Sequence, residues 1–144
     1  MILGATEIDT DFNVNVHTNS QGIIMGGSGG HSDVAAGSKL SIIAAPLIRA
    51  RLPVIVDRVN CISTPGKTVD ILVTQRGIAV NPAKKDLGER LKASGLPVFD
   101  IEALKNIAED FSGKPEPVER GNKIIAEVLY RDGTVIDEIM NYCG

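Results

Sequence analysis

The chain has 144 residues, enough for one domain with a real core and too few for two comfortable ones. Apolar residues make up 43% and aromatics only 3%, with no Trp, so the core must be built from Ile, Val, Leu and Ala, the composition of buried strands covered by helices. Fifteen Lys and Arg against eighteen Asp and Glu leave a net charge of −3, and no basic cluster interleaves with aromatics, so nothing supports nucleic-acid binding.

Taken in order, residues 2–8 read as a strand that delivers Glu7 at its end, and Met1 is followed at once by Ile2-Leu3, as though the chain begins inside a strand. Asp9, Thr10 and Asp11 form a turn. Phe12-Asn13-Val14-Asn15-Val16 alternates apolar and polar like a half-buried strand. A second turn at 19–22 leads through Ile23-Ile24-Met25 into Gly26-Gly27-Ser28-Gly29-Gly30-His31-Ser32-Asp33, so the first thirty residues predict a small β-meander ending in a glycine loop. A short helix at most follows over 33–37. Apolar runs at 40–45, 53–56 and 69–74, bounded by Gly, Pro and Asp, predict further strands, the first of them fully buried.

Asp86 opens a helix through Leu87, Arg90 and Leu91 that Gly95 closes. Asp100 caps a longer one with Ile101, Leu104, Ile107, Ala108 and Phe111 on one face, ended by Gly113 and Pro115. The charged, proline-containing segment 114–121 reads as a linker, and Asp132-Gly133 predicts a hairpin between 124–129 and 134–140. The organisation expected is a main domain over 1–113, with 114–144 as linker and terminal hairpin packed on it. No apolar run approaches the roughly 20 residues that span a bilayer, and a soluble cytoplasmic protein is expected.

Chemistry concentrates in the glycine loop and at Glu7. Four glycines in five positions bring the backbone close to a ligand and can aim successive N–H groups at an anion or a developing oxyanion. The alternative is a tight turn that merely needs glycine. Neither the dinucleotide G-x-G-x-x-G spacing nor the Gly-Lys-Ser/Thr of a P-loop is present. Glu7, a short distance along the chain from that loop, can act as a nucleophile toward an activated carbonyl or sit as a surface ion pair. Asn13 and Asn15, on one strand face, suit amide recognition of a ligand or simple exposure. His31 can donate to an anionic group or face water at a helix start. His17 and His31 lack a third ligand at metal spacing, and no metal is expected. Lys39, Arg49, Arg51, Arg58 and Arg76 are scattered cations, any of which can pair with a polycarboxylate or phosphate. Cys61 and Cys143 fit neither a disulfide framework nor a zinc pattern; Cys61 reads as a small core residue.

The ordered set Gly4-Ala5-Thr6-Glu7-Ile8-Asp9, the glycine loop 26–33, Thr64-Pro65-Gly66 and the run 69–79 resembles the C-terminal part of family I coenzyme A transferases. With 11–16 and the terminal Asp-Gly hairpin, it is similar more narrowly to the members that use citrate. The resemblance implies an α/β fold, an open mixed sheet with flanking helices, forming the second domain of a CoA-transferase-like architecture. It implies Glu7 as the residue that attacks the acyl thioester. Gly26, Gly27, Ser28, Gly29, Gly30 and His31, with Asn13 and Asn15, would bind substrate or the CoA-type arm. No cofactor would be covalently bound to this chain. The thioester would be that of CoA or of a dephospho-CoA-type prosthetic group on an acyl-carrier (γ) subunit, with citrate accepting the acyl linkage and a lyase (β) subunit cleaving the product.

Two departures accompany the resemblance. The family commonly carries Thr-Glu where this chain has Thr74-Gln75. The family's first domain, which supplies another glycine loop, has no counterpart here, so a domain-sized part of a larger transferase is expected, prone to self-association and inactive alone. Against the catalytic reading stand a pantetheine-thioester binding module without turnover and a purely structural subunit.

Overall fold

The computed structural model describes residues 1–142. The chain runs β1 (Ile2–Leu3), β2 (Glu7–Asp9), β3 (Val14–Asn15), α1 (His31–Gly37), β4 (Ile42–Ala44), β5 (Ile48–Arg49), β6 (Leu52–Pro53), β7 (Ile55–Val56), β8 (Ile71–Val73), β9 (Ile78–Val80), α2 (Lys85–Ala93), β10 (Val98–Phe99), α3 (Ile101–Ser112), β11 (Arg120–Leu129) and β12 (Val135–Tyr142). A five-stranded mixed sheet has the order β1-β4-β8-β9-β10, parallel except between β8 and β9. A second sheet, β3-β2-β7, carries the site, and β5–β6 and β11–β12 are two-stranded ribbons.

The expected strand over 2–8 is two strands in two sheets. Ile2 and Leu3 pair with Ile42 and Ile43 at the edge of the large sheet, whereas Ile8 and Asp9 pair with Ile55 and Val56. The break falls at Gly4-Ala5-Thr6, where the chain leaves one sheet for the other. β2 is thereby flanked on both sides, and a central strand buries its side chains: Glu7, Ile8 and Asp9 are all buried. The run 40–45 is not fully buried either, since Leu40 and Ala44 are exposed and only Ile42–Ala44 is strand.

The main core joins Ile8 and Val14 of the small sheet, and Phe12 of the turn between them, to Ile43, Leu72 and Ala79 of the large one, with Leu104 and Ala108 of α3 packed in the same cluster. The helical period places Ile101, Leu104 and Ala108 inward as expected, but Phe111, in the last turn, is 67% exposed and lies beside the Arg76 guanidinium instead, 5.9 Å from ring centroid to Cζ. Gly95 and Gly113 end α2 and α3 with φ of 77° and 76°, positive values that glycine adopts without a Cβ penalty.

The Asp-Gly hairpin forms, closed by Tyr130 N–H to Thr134 O at 2.7 Å with Gly133 at φ 84°. β11 begins four residues earlier than expected, at Arg120, through irregular pairing with the end of β12. Val128 and Ile139 pack on Cys61, the Ile62 amide donates to Asp137 at 2.6 Å, and Arg120 donates to the Asn60 carbonyl at 2.8 Å, so the hairpin is fastened to the loop after β7. Among the described residues no helix is long and apolar enough to cross a membrane. Cys143 lies outside the described residues.

Candidate active site

Glu7 opens β2, and the antiparallel register sets Asn15 of β3 directly opposite it. Cross-strand partners project to the same face. The Asn15 Nδ2 group donates to Glu7 Oε2 at 3.1 Å and to Thr18 Oγ1 at 2.9 Å, while its Oδ1 accepts from the amides of His17 and Thr18, each at 3.0 Å. The Ser20 hydroxyl donates to the other Glu7 oxygen. The carboxylate is 3% exposed. Burial raises its pKa above the ordinary 4.5, opposed by the bonds from Ser20 and Asn15, which favour the anion. A carboxyl group in this state is more basic than an exposed one, yet held at both oxygens in one orientation.

Asp9, two residues on, is buried too and has its pKa raised by burial, with hydrogen bonds acting against that shift. Its oxygens accept from the amides of Asp11 and Asn13, at 3.0 and 2.8 Å, and from Asn13 Nδ2 at 3.1 Å. These bonds hold a turn in which Phe12 has φ 65°, an uncommon state for a bulky residue and one that buries its ring.

Glu7 borders a cleft of about 370 Å³ walled by Ser20, Arg58, Asn60, Lys114 and the segment Pro115-Glu116-Pro117-Val118. The segment expected to be only a linker thus forms one wall of the site. Asp57 at the same rim is neutralised by Lys105, whose hydrogen bond holds its carboxyl below the usual range, and Lys114 sits 3.9 Å from Asp57 and 3.8 Å from Glu109.

The glycine loop lies outside the walls of this cleft. It is tied down at both ends: Met25 N–H donates to His17 O at 2.7 Å, and the His31 ring lies 2.7 Å from Thr64 Oγ1 and 2.9 Å from the Gly4 carbonyl. Between those anchors, Gly26, Gly27, Gly29 and Gly30 are exposed, and their amides donate no hydrogen bond among the described residues. A Cβ at Gly26, Gly27 or Gly29 would meet nothing within 4 Å; the backbone turn calls for glycine at Gly26 (φ 157°) and Gly29 (φ 55°), while Gly27 answers neither to packing nor to a positive φ. Ile23, Ile24 and Met25, expected as a strand leading in, are more than half exposed and contribute only an isolated bridge between Ile24 and Thr18.

Asn13 and Asn15 meet Asp9 and Glu7, two residues apart on β2, so both turn to the same side of the strand pair, where their amides are taken up by partners within the chain. Asn13 precedes β3; its Nδ2 goes to Asp9 and its Oδ1 accepts from Gly66 N–H at 2.9 Å. Both ring nitrogens of His31 are engaged as above. His17 has Nδ1 2.5 Å from Ser63 Oγ, and its pKa is lowered by burial and then by the charge of His31. Gln75, in place of the usual acid, accepts from Leu47 N–H at 3.0 Å through Oε1, a bond a carboxylate oxygen would make equally well. Ser20, Asn60 and the 114–118 wall escape a local reading: Ser20 sits in an ordinary turn pattern, and tertiary folding alone brings the other two to Glu7.

A family model described as citrate lyase, alpha subunit matches residues 1–142. The chain is 54% identical to the citrate lyase alpha chain of Klebsiella pneumoniae and 53% identical to that of Escherichia coli, in each case over 96% of its own length. It covers 27% of each of these, so it spans about a quarter of the curated relatives it matches. The crystal structure of a protein assigned as the α subunit of citrate lyase from Streptococcus mutans, in complex with citrate, superposes on 99% of the chain with a TM-score of 0.95 at 48% identity, using 28% of that protein. The family match over residues 1–142, together with near-coincident backbones, establishes that the chain belongs to the citrate lyase α subunit family.

Proposed function

We propose that this chain carries the nucleophilic glutamate of a citrate CoA-transferase, with a second-domain CoA-transferase-like fold in which residues 1–113 hold the site and 114–144 clasp it. The observation that carries the reading is the Glu7 carboxylate, buried, made more basic by burial, oriented at both oxygens by Ser20 and Asn15, and bordering a cleft.

The chemistry balances through two exchanges. A Glu7 oxygen adds to the carbonyl of an acetyl thioester and the C–S bond breaks, giving an acetyl–glutamyl anhydride and a thiolate. The thiolate then attacks the glutamyl carbonyl, acetate leaves, and a glutamyl thioester remains. A citrate carboxylate attacks that thioester, displacing the thiolate and forming a citryl–glutamyl anhydride. Return of the thiolate to the citryl carbonyl regenerates the Glu7 carboxylate and gives the citryl thioester. Storing the acyl energy on the protein lets two acids trade places without hydrolysis, provided water is kept out.

The open amides of Gly26, Gly27, Gly29 and Gly30, with Ser28, would receive the thioester and its pantetheine-type arm. An amide donor aimed at the oxyanion of such a step is typically worth about 3 kcal/mol. Asn15 would set the Glu7 geometry directly, and Asn13 and His31 would act by holding the turn and the loop that flank it. The thioester would come from the acyl-carrier (γ) subunit or from free CoA, and the citryl product would pass to the lyase (β) subunit.

The test is to incubate the native assembly that carries this chain with acetyl thioester, quench with borohydride, and map the peptides. Reduction of Glu7 to its alcohol, absent in Glu7→Gln, is the expected result. Full turnover by Glu7→Gln, or a label on another residue, would remove Glu7 from the mechanism.

A further inference from the structure

We propose that Arg58 is the specificity-determining cation of the Glu7 cleft, binding a carboxylate of the acid acceptor remote from the one that reacts. The proposal rests on the transferase reading above and names the residue that would select a polycarboxylate over a simple acid.

Nearly every polar side chain of the cleft is already engaged. Ser20 donates to Glu7. Asn60 directs its Nδ2 to the carbonyls of Asn19 and Ser20, at 3.3 and 3.2 Å, and its Oδ1 lies 3.4 Å from Arg120. Lys114 is shared by Asp57 and Glu109. Asp57 is in turn neutralised by Lys105. Arg58 alone among the cations of this wall makes no ion pair and no hydrogen bond among the described residues, and its side chain is exposed where it borders the same cleft as Glu7.

Position and chemistry agree. β7 runs parallel to β2, and Asp57-Arg58 follow directly from its end, with the Asp57 carbonyl accepting from Thr10 Oγ1 at 3.3 Å. Arg58 therefore stands at the far end of the strand pair from Glu7, looking into a space they share. A monocarboxylic acid presents only the group that reacts. A polycarboxylate must bring additional negative charge to a cleft that already holds Glu7 and Glu116, which is unfavourable unless a cation receives it. A guanidinium meets a carboxylate with two parallel N–H bonds, so it fixes both the charge and the orientation of the acceptor.

The deciding experiment measures, in the native assembly, kcat/KM for citrate as acceptor against exchange of labelled acetate into the acetyl thioester, for Arg58→Gln and Arg58→Lys. The expected result is a fall in the citrate-to-acetate ratio of about tenfold or more in Arg58→Gln, borne mainly by KM for citrate, with Arg58→Lys in between. A ratio that does not move in Arg58→Gln overturns the proposal, as does a loss shared equally by both acceptors. The borohydride trap on the parent protein separates the two layers. A reduced Glu7 with an unmoved ratio removes Arg58 alone; an unreduced Glu7 removes the transferase reading and this proposal with it.

Discussion

Asn15 and Glu7 face each other across the β2–β3 register, with the amide Nδ2 3.1 Å from the carboxylate Oε2 and the Asn15 Oδ1 fully engaged by two backbone amides. Asn15→Asp would keep the acceptor oxygen and replace the donor with a second carboxylate against the first. Like charge raises the Glu7 pKa further, and one buried donor is lost. Transfer should fall by about a hundredfold at neutral pH, and the acidic limb of the pH–rate profile should move to higher pH. The profile is the readout, because a merely structural Asn15 would lower the rate without shifting the limb.

The stability of the parent chain should carry a signature of Glu7. Its folded pKa lies above the ordinary 4.5, so between those values the folded state retains a proton that the unfolded state has lost. Stability contributed by this group is complete below pH 4.5, falls as pH rises through the raised pKa, and stays reduced above it. Glu7→Gln removes the charge while its amide can still accept from Asn15 and donate to the Ser20 oxygen. The variant should melt higher than the parent at pH 7 to 8, and the difference should vanish below pH 4.5. Melting curves across that range check the sign; a variant equally destabilised at every pH would mean that lost packing outweighs desolvation.

The parts legible in the sequence were those set by local periodicity. α3 follows from Ile101, Leu104 and Ala108 with Gly113 as its stop, and the terminal hairpin from Asp132-Gly133. The parts that were not legible depend on remote partners. Nothing near Gly4 says that Ile2 will pair with Ile42 while Ile8 pairs with Ile55, and so the surface-type environment open to a strand-end Glu7 became a buried one. Ile23-Ile24-Met25 has strand composition but finds no full partner strand. The 114–118 wall has linker composition because it makes no ladder, yet it still borders the cleft.

Cys61 should be inert in the folded protein. It is 1% exposed beneath Val128 and Ile139, and burial, aided by the nearby Asp137 charge, pushes its thiol pKa up to about 12. The thiolate that reacts with disulfide reagents is therefore scarce as well as shielded. In a Cys143→Ser background, labelling should occur only through opening of the hairpin, and Ile139→Ala should accelerate it by at least about tenfold by removing cover. Immediate stoichiometric labelling of the native parent chain would contradict the packing described for β11 and β12.

Gly66 shows why Thr64-Pro65-Gly66 is more than a turn. A Cβ there would lie 2.0 Å from the Asp11 carbonyl oxygen, 2.9 Å from the Phe12 carbonyl carbon and 3.0 Å from the Asn13 nitrogen, all backbone atoms that cannot swing aside. The approach is fixed from both sides: Gly66 N–H donates to Asn13 Oδ1, Asn81 Nδ2 donates to the Gly66 carbonyl at 3.0 Å, and Val14 N–H donates to Thr64 O at 2.9 Å. Gly66→Ala must push the 64–66 segment away from the turn that Asp9 holds, and with it the start of β3. Asn15 follows Val14 directly, so the displacement reaches the Glu7 pair. The expected loss is about 3 kcal/mol of stability or more, with transfer reduced beyond what the unfolded fraction explains. Gly88→Ala is the contrasting change: it sits inside α2, its Cβ would meet Val80 at an ordinary 3.7 Å, and the gain in helix propensity should stabilise by roughly 0.5–1 kcal/mol. Chemical denaturation of the two variants measures the contrast. Equal, small effects would show that the chain around Gly66 yields to a methyl group, and that the close approach of 64–66 to the β2–β3 turn does not position the site.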